Sequence, residues 1–375
     1  MQIDTIRTTE EFVSLRNEWN ELLETSAADC VFLTHEWLSV WWKHLSEGRR
    51  LAIVTARDGG KLVGILPLAE RPAQFTRMMP RTLEFLGSGI IGSDYLDAIV
   101  GVGRESEVIP AFAEYLDGRA QLLQLSQLRA GNCLVSILAE QLRGQGWTPN
   151  EVTLNVCPYI DLSGHTWESF VATLGPHIRK GVKRSLRNLP TTHDFRADCV
   201  RTAAEAQSAL EIAMDLHHKR WGDGRGSEAF QSDAVVAFHR EFVELAAQKG
   251  WLRLLIIHLN NVPAAAQYGL RYGKTFYFYQ SGFDPAFSKL SVGVAVMALA
   301  VKTAIEEGTL EYDFLHGNEE YKFHWARQTR HLARIELHPP QARAWIYKHA
   351  IGFNRAARQV ARRVLDRASN VALSR

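Results

Sequence analysis

The stretch WLRLLIIHLNNVPAAAQYGLRYGKTFYFYQSGF, residues 251–283, most constrains what this chain can become. Three apolar runs are separated by Asn260-Asn261 and Gly273-Lys274. Asparagine and glycine tolerate the left-handed backbone of tight hairpin turns, so the runs read as a meander of adjacent antiparallel strands. A helix pattern follows at once. Residues 292–301 are all apolar or glycine, and Gly308 supplies a helix stop. A helix apolar nearly all round is buried on most sides. The next strand candidate, EYDFL, lies just beyond. A buried helix therefore joins two strands and has to lie on their sheet.

The rest of the chain shows the same order twice. In the first half, residues 10–24 and 34–45 read as helices, with Thr34 as an N-cap. Trp37 and Trp41 are four apart and share a helix face, which suits core packing or the lining of a groove. LAIVTARDGGKLVGILPLAE is a hairpin around Asp58-Gly59-Gly60. TLEFLG and DYLDAIVG read as short strands, followed by a helix at 105–116, the strand QLLQLSQL, a helix at 133–145 and the strand EVTLNVC. The second half opens with helices at 167–174, in PHIRKGVKRSLRNL, at 203–221 and at 233–249. The meander, the apolar helix, EYDFL and ARIELHP complete it. Shared order with slight residue identity implies an internal structural duplication. Pro158 and Gly164 punctuate the join near CPYIDLSGHTW. The expected organisation is a unit at 1–160, a unit at 161–340 and a tail at 341–375.

Charge separates the tail from the body. The chain carries 43 Lys/Arg against 41 Asp/Glu, a formal +2, so it is not a nucleic-acid binder by overall charge. The tail alone holds eight Lys/Arg and one acid. It reads either as a helix packed on a mildly acidic body or as a dock for an anionic membrane surface. The longest apolar run is about half the length a membrane span needs. The four cysteines have no metal-like spacing and read as reduced thiols of a cytoplasmic protein, without a metal. The first residues show no signal-peptide pattern.

The start of the apolar helix carries the first functional hint. Ser291 is placed to cap it. Gly293 sits in the first turn, where glycine costs about 1 kcal/mol against alanine. Close approach of a ligand to the backbone would explain it, as would helix–sheet packing. A helix N-terminus is a ready anion site, and Lys289 adds a cation just ahead of it.

The order LHHKRWG, WLRLLIIHLN, PAAAQYGLRYG, FYFYQSGFDPAFSKLSVGVAV and YDFLHGNEEYKFHWA resembles the BioF2-like or CelD-like acetyltransferases of the GNAT type, relatives of the Fem peptidyl transferases. FLTHEWLSVWWKHL, GKLVGILPLA and GSDYLDAIV look like that family's first half. The resemblance covers roughly residues 10–335 and is most specific over residues 312–325. It implies an α/β (α+β) fold of tandem GNAT-like units, each a mixed, mostly antiparallel sheet flanked by helices. It implies an N-acyltransferase that takes acetyl-CoA or another acyl-CoA as co-substrate. The implied acceptor is an amine of a sugar or amino compound in exopolysaccharide or envelope metabolism. The phosphate loop KLSVGVA departs from the usual glycine-rich run. Two alternatives therefore stand beside this reading: a Fem-like transferase drawing on aminoacyl-tRNA, and a non-catalytic scaffold of polysaccharide assembly.

Acyl transfer from a thioester needs a base for the amine, a donor for the oxyanion and an acid for the leaving thiolate. His217, in LHHKRW, has the family-like H-x-x-x-W spacing and is the expected base. Asp94, after a glycine-rich turn, is expected to hold the acceptor amine or a sugar hydroxyl. As part of a strand it would share a face with Leu96, opposite Tyr95 and Asp97. Asp313, Tyr321 and Lys322 lie in a polar loop after a buried strand. Tyr321 suits protonation of the thiolate. Lys322 suits pairing with Asp313 or holding a phosphate. Gln280 and Ser281 close the third meander strand, where the resemblance runs the pantetheine arm. Lys289, Ser291, Val292 and Gly293 complete the expected cofactor site. HIRKGVKRSLRN is an amphipathic helix with Ile178, Val182, Leu186 and Leu189 on its apolar side. Its basic side is read as solvated, or as a grip for coenzyme A phosphates, an acidic precursor or tRNA.

Overall fold

A computed structural model describes residues 1–71, 81–119, 121–222 and 229–340. The basic tail at 341–375 lies outside the described residues. In chain order the strands are β1 (Gln2–Ile6), β2 (Arg50–Leu51), β3 (Ile53–Asp58), β4 (Lys61–Leu66), β5 (Leu68–Glu70), β6 (Thr82–Phe85), β7 (Ile99–Val100) and β8 (Leu122–Arg129). They continue as β9 (Thr148–Asp161), β10 (Phe195–Val200), β11 (Leu252–Leu259), β12 (Val262–Tyr272), β13 (Thr275–Phe283), β14 (Glu311–Asp313) and β15 (Gln328–His338). The result is a mixed α/β fold of mostly antiparallel sheets flanked by helices.

The strands form two sheets. One is four-stranded, in the order β1-β3-β4-β7. The other has eleven strands, in the order β10-β11-β12-β13-β14-β9-β15-β8-β6-β5-β2. The long sheet crosses from one half of the chain to the other without a break. β15, from the end of the second half, inserts between β8 and β9 of the first. The first hairpin serves both sheets. Pro67, which cannot donate to a ladder, separates β4 from β5, while the Ala52 N–H still reaches the Leu68 carbonyl at 3.0 Å.

Local sequence explains the turns. Gly59 and Gly60 have φ 56° and 87°, and Asn260 and Asn261 have φ 51° and 63°. These are the left-handed pairs that the two hairpins demand. Thr34 caps the helix His35–Leu45 by accepting from the Trp37 N–H at 3.3 Å. Trp37 is fully buried and donates its indole N–H to the Ser93 hydroxyl at 2.9 Å, so the tryptophan stripe is core. The helix Pro176–Thr192 buries Val182, Ser185 and Leu189 and turns Lys180, Lys183, Arg184 and Arg187 outward.

Two local readings need correction. The expected first helix is two helices, Thr9–Ser14 and Arg16–Glu24, divided at Leu15. Of DYLDAIVG only Ile99–Val100 is strand. Tyr95 has φ 62°, so the alternating faces expected for residues 94–97 do not form. Asp97 instead accepts from the Leu134 and Val135 N–H groups at 2.8 and 3.0 Å, anchoring the start of the helix Leu134–Gly144.

The apolar helix Val292–Glu306 leads from β13 to β14 and buries Val292, Val296, Met297 and Val301 against the sheet. Its two flanking strands pair in parallel. In the first half, β6 and β8 also pair in parallel, with the helix Glu105–Asp117 between them in sequence. Each parallel pair is short, and each leaves a gap where its strands part. We retain the division at residues 160 and 161 as a proposal about the repeating units.

Candidate functional site

β13 and β14 are in register only from Thr275 opposite Glu311 to Tyr277 opposite Asp313. Beyond that point the chain turns away through Leu315 at φ 55° and Gly317 at φ 142°. On its other edge β13 carries a bulge. Tyr268 faces Gln280 and Gly269 faces Phe278, so Tyr279 has no partner on β12. Bulges bend a strand and release backbone groups from the ladder. A cavity of about 500 Å³ fills the gap between the parted strands, with Gln280, Ser281, His316 and Tyr321 among its walls.

A second cavity of about 290 Å³ lies between β13 and the first turns of the helix Val292–Glu306. Val292, Val296, Met297 and Phe283 make its lining largely apolar. Ser281 and Tyr321 border both cavities, so the two meet there. The mouth of the second cavity suits an anion. Ser291 occupies the N-cap position but has φ 58° and makes no side-chain capping bond, contrary to the expected hydroxyl cap. The Val294 N–H donates to the Ser291 carbonyl at 3.0 Å, whereas the Val292 and Gly293 N–H groups at the very start have no acceptor within their own helix. At Gly293 an added Cβ would meet only the Phe283 ring, at 3.5 Å, an ordinary contact. Helix–sheet packing does not require that glycine, and its missing side chain opens the cavity.

Arg220 borders this second cavity. It comes from the end of the helix Ala203–Trp221. Its Nη1 donates to the Ser281 hydroxyl at 3.1 Å, and its guanidinium lies over the rings of Trp221, Phe283 and Tyr321. No ion pair joins it to a carboxylate among the described residues, and burial pulls its pKa down. A half-buried cation without an anion is costly unless something supplies one.

The base of the first cavity joins the two halves of the chain. The His316 Nδ1 lies 2.8 Å from Asp94 Oδ1, and the His316 backbone N–H donates to Asp94 Oδ2 at 2.8 Å. Gln127 donates to Asp94 Oδ1 at 3.2 Å. The Asp94 charge, foremost, raises the His316 pKa above the ordinary histidine value. Asp94 is fully buried and holds His316 rather than facing the cavity. His316 is partly exposed on the cavity wall, and its Nε2 has no hydrogen bond among the described residues. A histidine oriented by a buried carboxylate, with its other nitrogen toward a cavity, is equipped to accept a proton.

The other expected site residues fall in different places. Asp313 is fully buried and accepts from the Tyr95 hydroxyl at 2.8 Å and from the Leu315 N–H at 2.7 Å. It holds the turn that presents His316, and burial pushes its pKa up to about 7. Lys322 does not pair with Asp313. Its Nζ donates to the His316 carbonyl at 2.8 Å and lies 3.1 Å from Glu319. Tyr321 stands at the junction of the cavities, and burial raises its pKa, so its hydroxyl keeps its proton. His217 lines neither cavity. Its helix lies so close to β13 that a Cβ on Gly282 would come within 2.5 Å of the His217 backbone. Its ring packs on Phe230, and burial lowers its pKa to about 4. The expected base is therefore a core residue. Lys289 is exposed on the short turn Pro285–Leu290, outside the lining of the second cavity. His316 and Arg220 are the residues that single-residue reasoning missed. Arg220 lies within LHHKRW, one residue before its tryptophan, and His316 lies within the polar loop.

With this geometry in hand, the comparisons with known proteins are specific about class. Residues 176–323 match the family model of the acetyltransferase (GNAT) domain. The solved structure of FemX superposes with a TM-score of 0.60 at 9% identity, covering 89% of this chain and 97% of that one. A conserved protein of unknown function from Bacteroides thetaiotaomicron VPI-5482 gives 0.56 at 12% identity, covering 90% and 100%. L-PGS from Bacillus licheniformis gives 0.52 at 10% identity, covering 87% and 92%. At such identities the likeness concerns the fold. No curated protein matches the chain. The GNAT-type resemblance with Fem-like relatives, read from the sequence, is borne out. Among the described residues no helix is long and apolar enough to cross a membrane.

Proposed function

We propose that the protein is an N-acyltransferase that moves an acyl group, acetyl in the simplest case, from acyl-CoA to an amine of a sugar or amino compound. Exopolysaccharide or envelope metabolism is the proposed setting. The observation that carries this reading is the second cavity. An apolar slot ends at a helix start without a side-chain cap, at an open Gly293, and at Arg220, which makes no ion pair with a carboxylate among the described residues. A pantetheine arm fits the slot, and a pyrophosphate fits its mouth.

In the proposed reaction the thioester lies where the cavities meet, beside Ser281 and Tyr321. The acceptor amine in the first cavity attacks the thioester carbonyl carbon. The new C–N bond forms and the C–S bond breaks. Backbone released by the Tyr279 bulge supplies the oxyanion donor. His316 Nε2 takes the proton lost by the amine, and Asp94 steadies the resulting imidazolium. The Tyr321 hydroxyl gives its proton to the leaving thiolate and regains one from solvent as His316 releases its own, so that acyl-amine and free thiol are the net products. No covalent enzyme intermediate is needed.

The test is release of free thiol from acetyl-CoA across a panel of amino sugars and amino acids. Acyl-amine product that forms with wild type and falls about 10²-fold or more in His316→Ala supports the reading, a loss typical of a removed general base. A chain that leaves acetyl-CoA untouched but retards aminoacyl-tRNA in a gel over a salt series favours the Fem-like alternative instead. Neither response would favour the scaffold.

A further inference from the structure

A third cavity, of about 470 Å³, lies in the first half, where β6 and β8 part after their short parallel pairing. Gly89 and Gln127 line both this cavity and the one that holds His316, so the two spaces adjoin. Two arginines, Arg49 and Arg71, and two glutamates, Glu47 and Glu84, line it. Glu84, on β6, is buried, and two arginines share its single carboxylate. Arg49 Nε donates to Glu84 Oε1 at 2.6 Å, while Arg71 Nε donates to Oε2 at 3.0 Å. The remaining nearby carboxylate, Glu47, stands 3.6 Å from Arg49 and is 68% exposed. Solvent screens that partner strongly, so the buried part of the cluster carries a surplus positive charge. A second, independent feature lies at the wall of the same space, at Ser88. The Ser88 hydroxyl is buried and has no hydrogen-bond partner among the described residues. A buried orphan hydroxyl calls for a ligand or a water to satisfy it.

We propose that this cavity is an oxyanion subsite for the acceptor. A phosphate or carboxylate carried by the acceptor docks on Arg49, Arg71 and Ser88 while its amine projects past Gln127 to His316. The proposal rests on the acyl-transfer reading only for the placement of the amine. The gap between β6 and β8 corresponds in sheet position to the gap between β13 and β14, and its ionic cluster makes it a place for a small anion. Arg71 is one-third exposed and Arg49 is 14% exposed, so incoming ligand can reach both guanidiniums. The acceptor class that fits is an amine with an oxyanion at its far end, in preference to a neutral amine.

The test separates anion binding from turnover. Inorganic phosphate is titrated into the full chain at moderate salt, by calorimetry, for wild type, Ser88→Asp and Arg71→Gln. Ser88→Asp places a carboxylate in the subsite and keeps both arginines, so it serves even if Arg71→Gln unfolds. A rise of at least tenfold in the phosphate Kd in Ser88→Asp supports the proposal, whether or not acyl transfer is ever found. Unchanged phosphate affinity in a folded Ser88→Asp overturns it, because any phosphate then binds elsewhere, the helix start at Gly293 included. Turnover arms distinguish the sources. Glucosamine 6-phosphate preferred tenfold over glucosamine in kcat/KM, with the preference lost in Ser88→Asp, identifies a phosphate. The same pattern with an amino-sugar uronic acid identifies a carboxylate. Equal kcat/KM for neutral and anionic amines overturns the subsite while leaving the acyl-transfer reading intact.

Discussion

Replacing Arg220 with methionine separates a binding role from a structural one. The guanidinium lies over Trp221, Phe283 and Tyr321 at 4.6, 5.0 and 5.3 Å from the ring centroids, with no carboxylate ion-paired to it among the described residues. Methionine keeps the length and apolar body but removes the charge. In the free protein the lost cation–π contacts, about 0.5–1 kcal/mol each at exposed sites, oppose the relief of desolvating an unpaired cation. The two effects offset, and the melting temperature should stay within about 3 °C of wild type. In the complex, one unit charge at about 5 Å from a pyrophosphate charge, at an effective dielectric near 20, contributes about 3 kcal/mol. Arg220→Met should therefore weaken coenzyme A binding about 100-fold, measured by isothermal titration calorimetry, and the loss should shrink as salt rises. A folded variant with unchanged coenzyme A affinity would refute the reasoning. So would a large drop in melting temperature with affinity intact, which would make Arg220 a structural residue.

Gly293→Glu puts a carboxylate at the helix start and should abolish coenzyme A binding with the fold kept; circular dichroism and calorimetry on the same sample check both. The acyl-transfer rate should rise with pH through the raised pKa of His316, since only the neutral imidazole accepts a proton. Asp94→Asn should shift that limb of the pH–rate profile to lower pH as well as slow the reaction, whereas a merely structural Asp94 would lower the rate at every pH without moving the limb. Tyr321→Phe should slow turnover and leave coenzyme A affinity within about threefold, and a restored rate with an acyl donor whose thiolate needs no proton would confirm the acid role. Burial raises Asp97 and Asp313 to about 7 each. A carboxyl with a raised folded pKa contributes stability that is complete below its unfolded value and lost as pH rises through the folded one. Melting temperature should then fall between pH 5 and pH 8, and Asp97→Asn should flatten that fall.

The parts of this molecule that are local in sequence were legible in it. Asn260-Asn261 and Gly59-Gly60 announce their hairpins because few other residues accept that backbone. The apolar run at 292–301 announces a buried helix, and Gly293 marks its open end. What depends on contacts between distant residues was not legible. Asp94 and His316 are 222 positions apart, so nothing near either residue announces the pair. The sequence suggests Asp94 as a ligand of the acceptor, while in the fold its carboxylate is bonded to His316 of the other half and to Gln127. His217 carries the expected spacing, yet the close approach of its helix to Gly282 turns it into the core. The continuous eleven-stranded sheet was also hidden. β15 pairs with β8 and β9 from the first half of the chain, and an order of elements does not tell which strands the last one joins.

The most direct measurement is the electron density of a crystal soaked with coenzyme A. The account predicts density along β13, with the pyrophosphate at the first turn beside Gly293 and Arg220 and the thiol between Ser281 and Tyr321. An empty second cavity at saturating ligand, or coenzyme A seated instead in the arginine-lined cavity between β6 and β8, would contradict it.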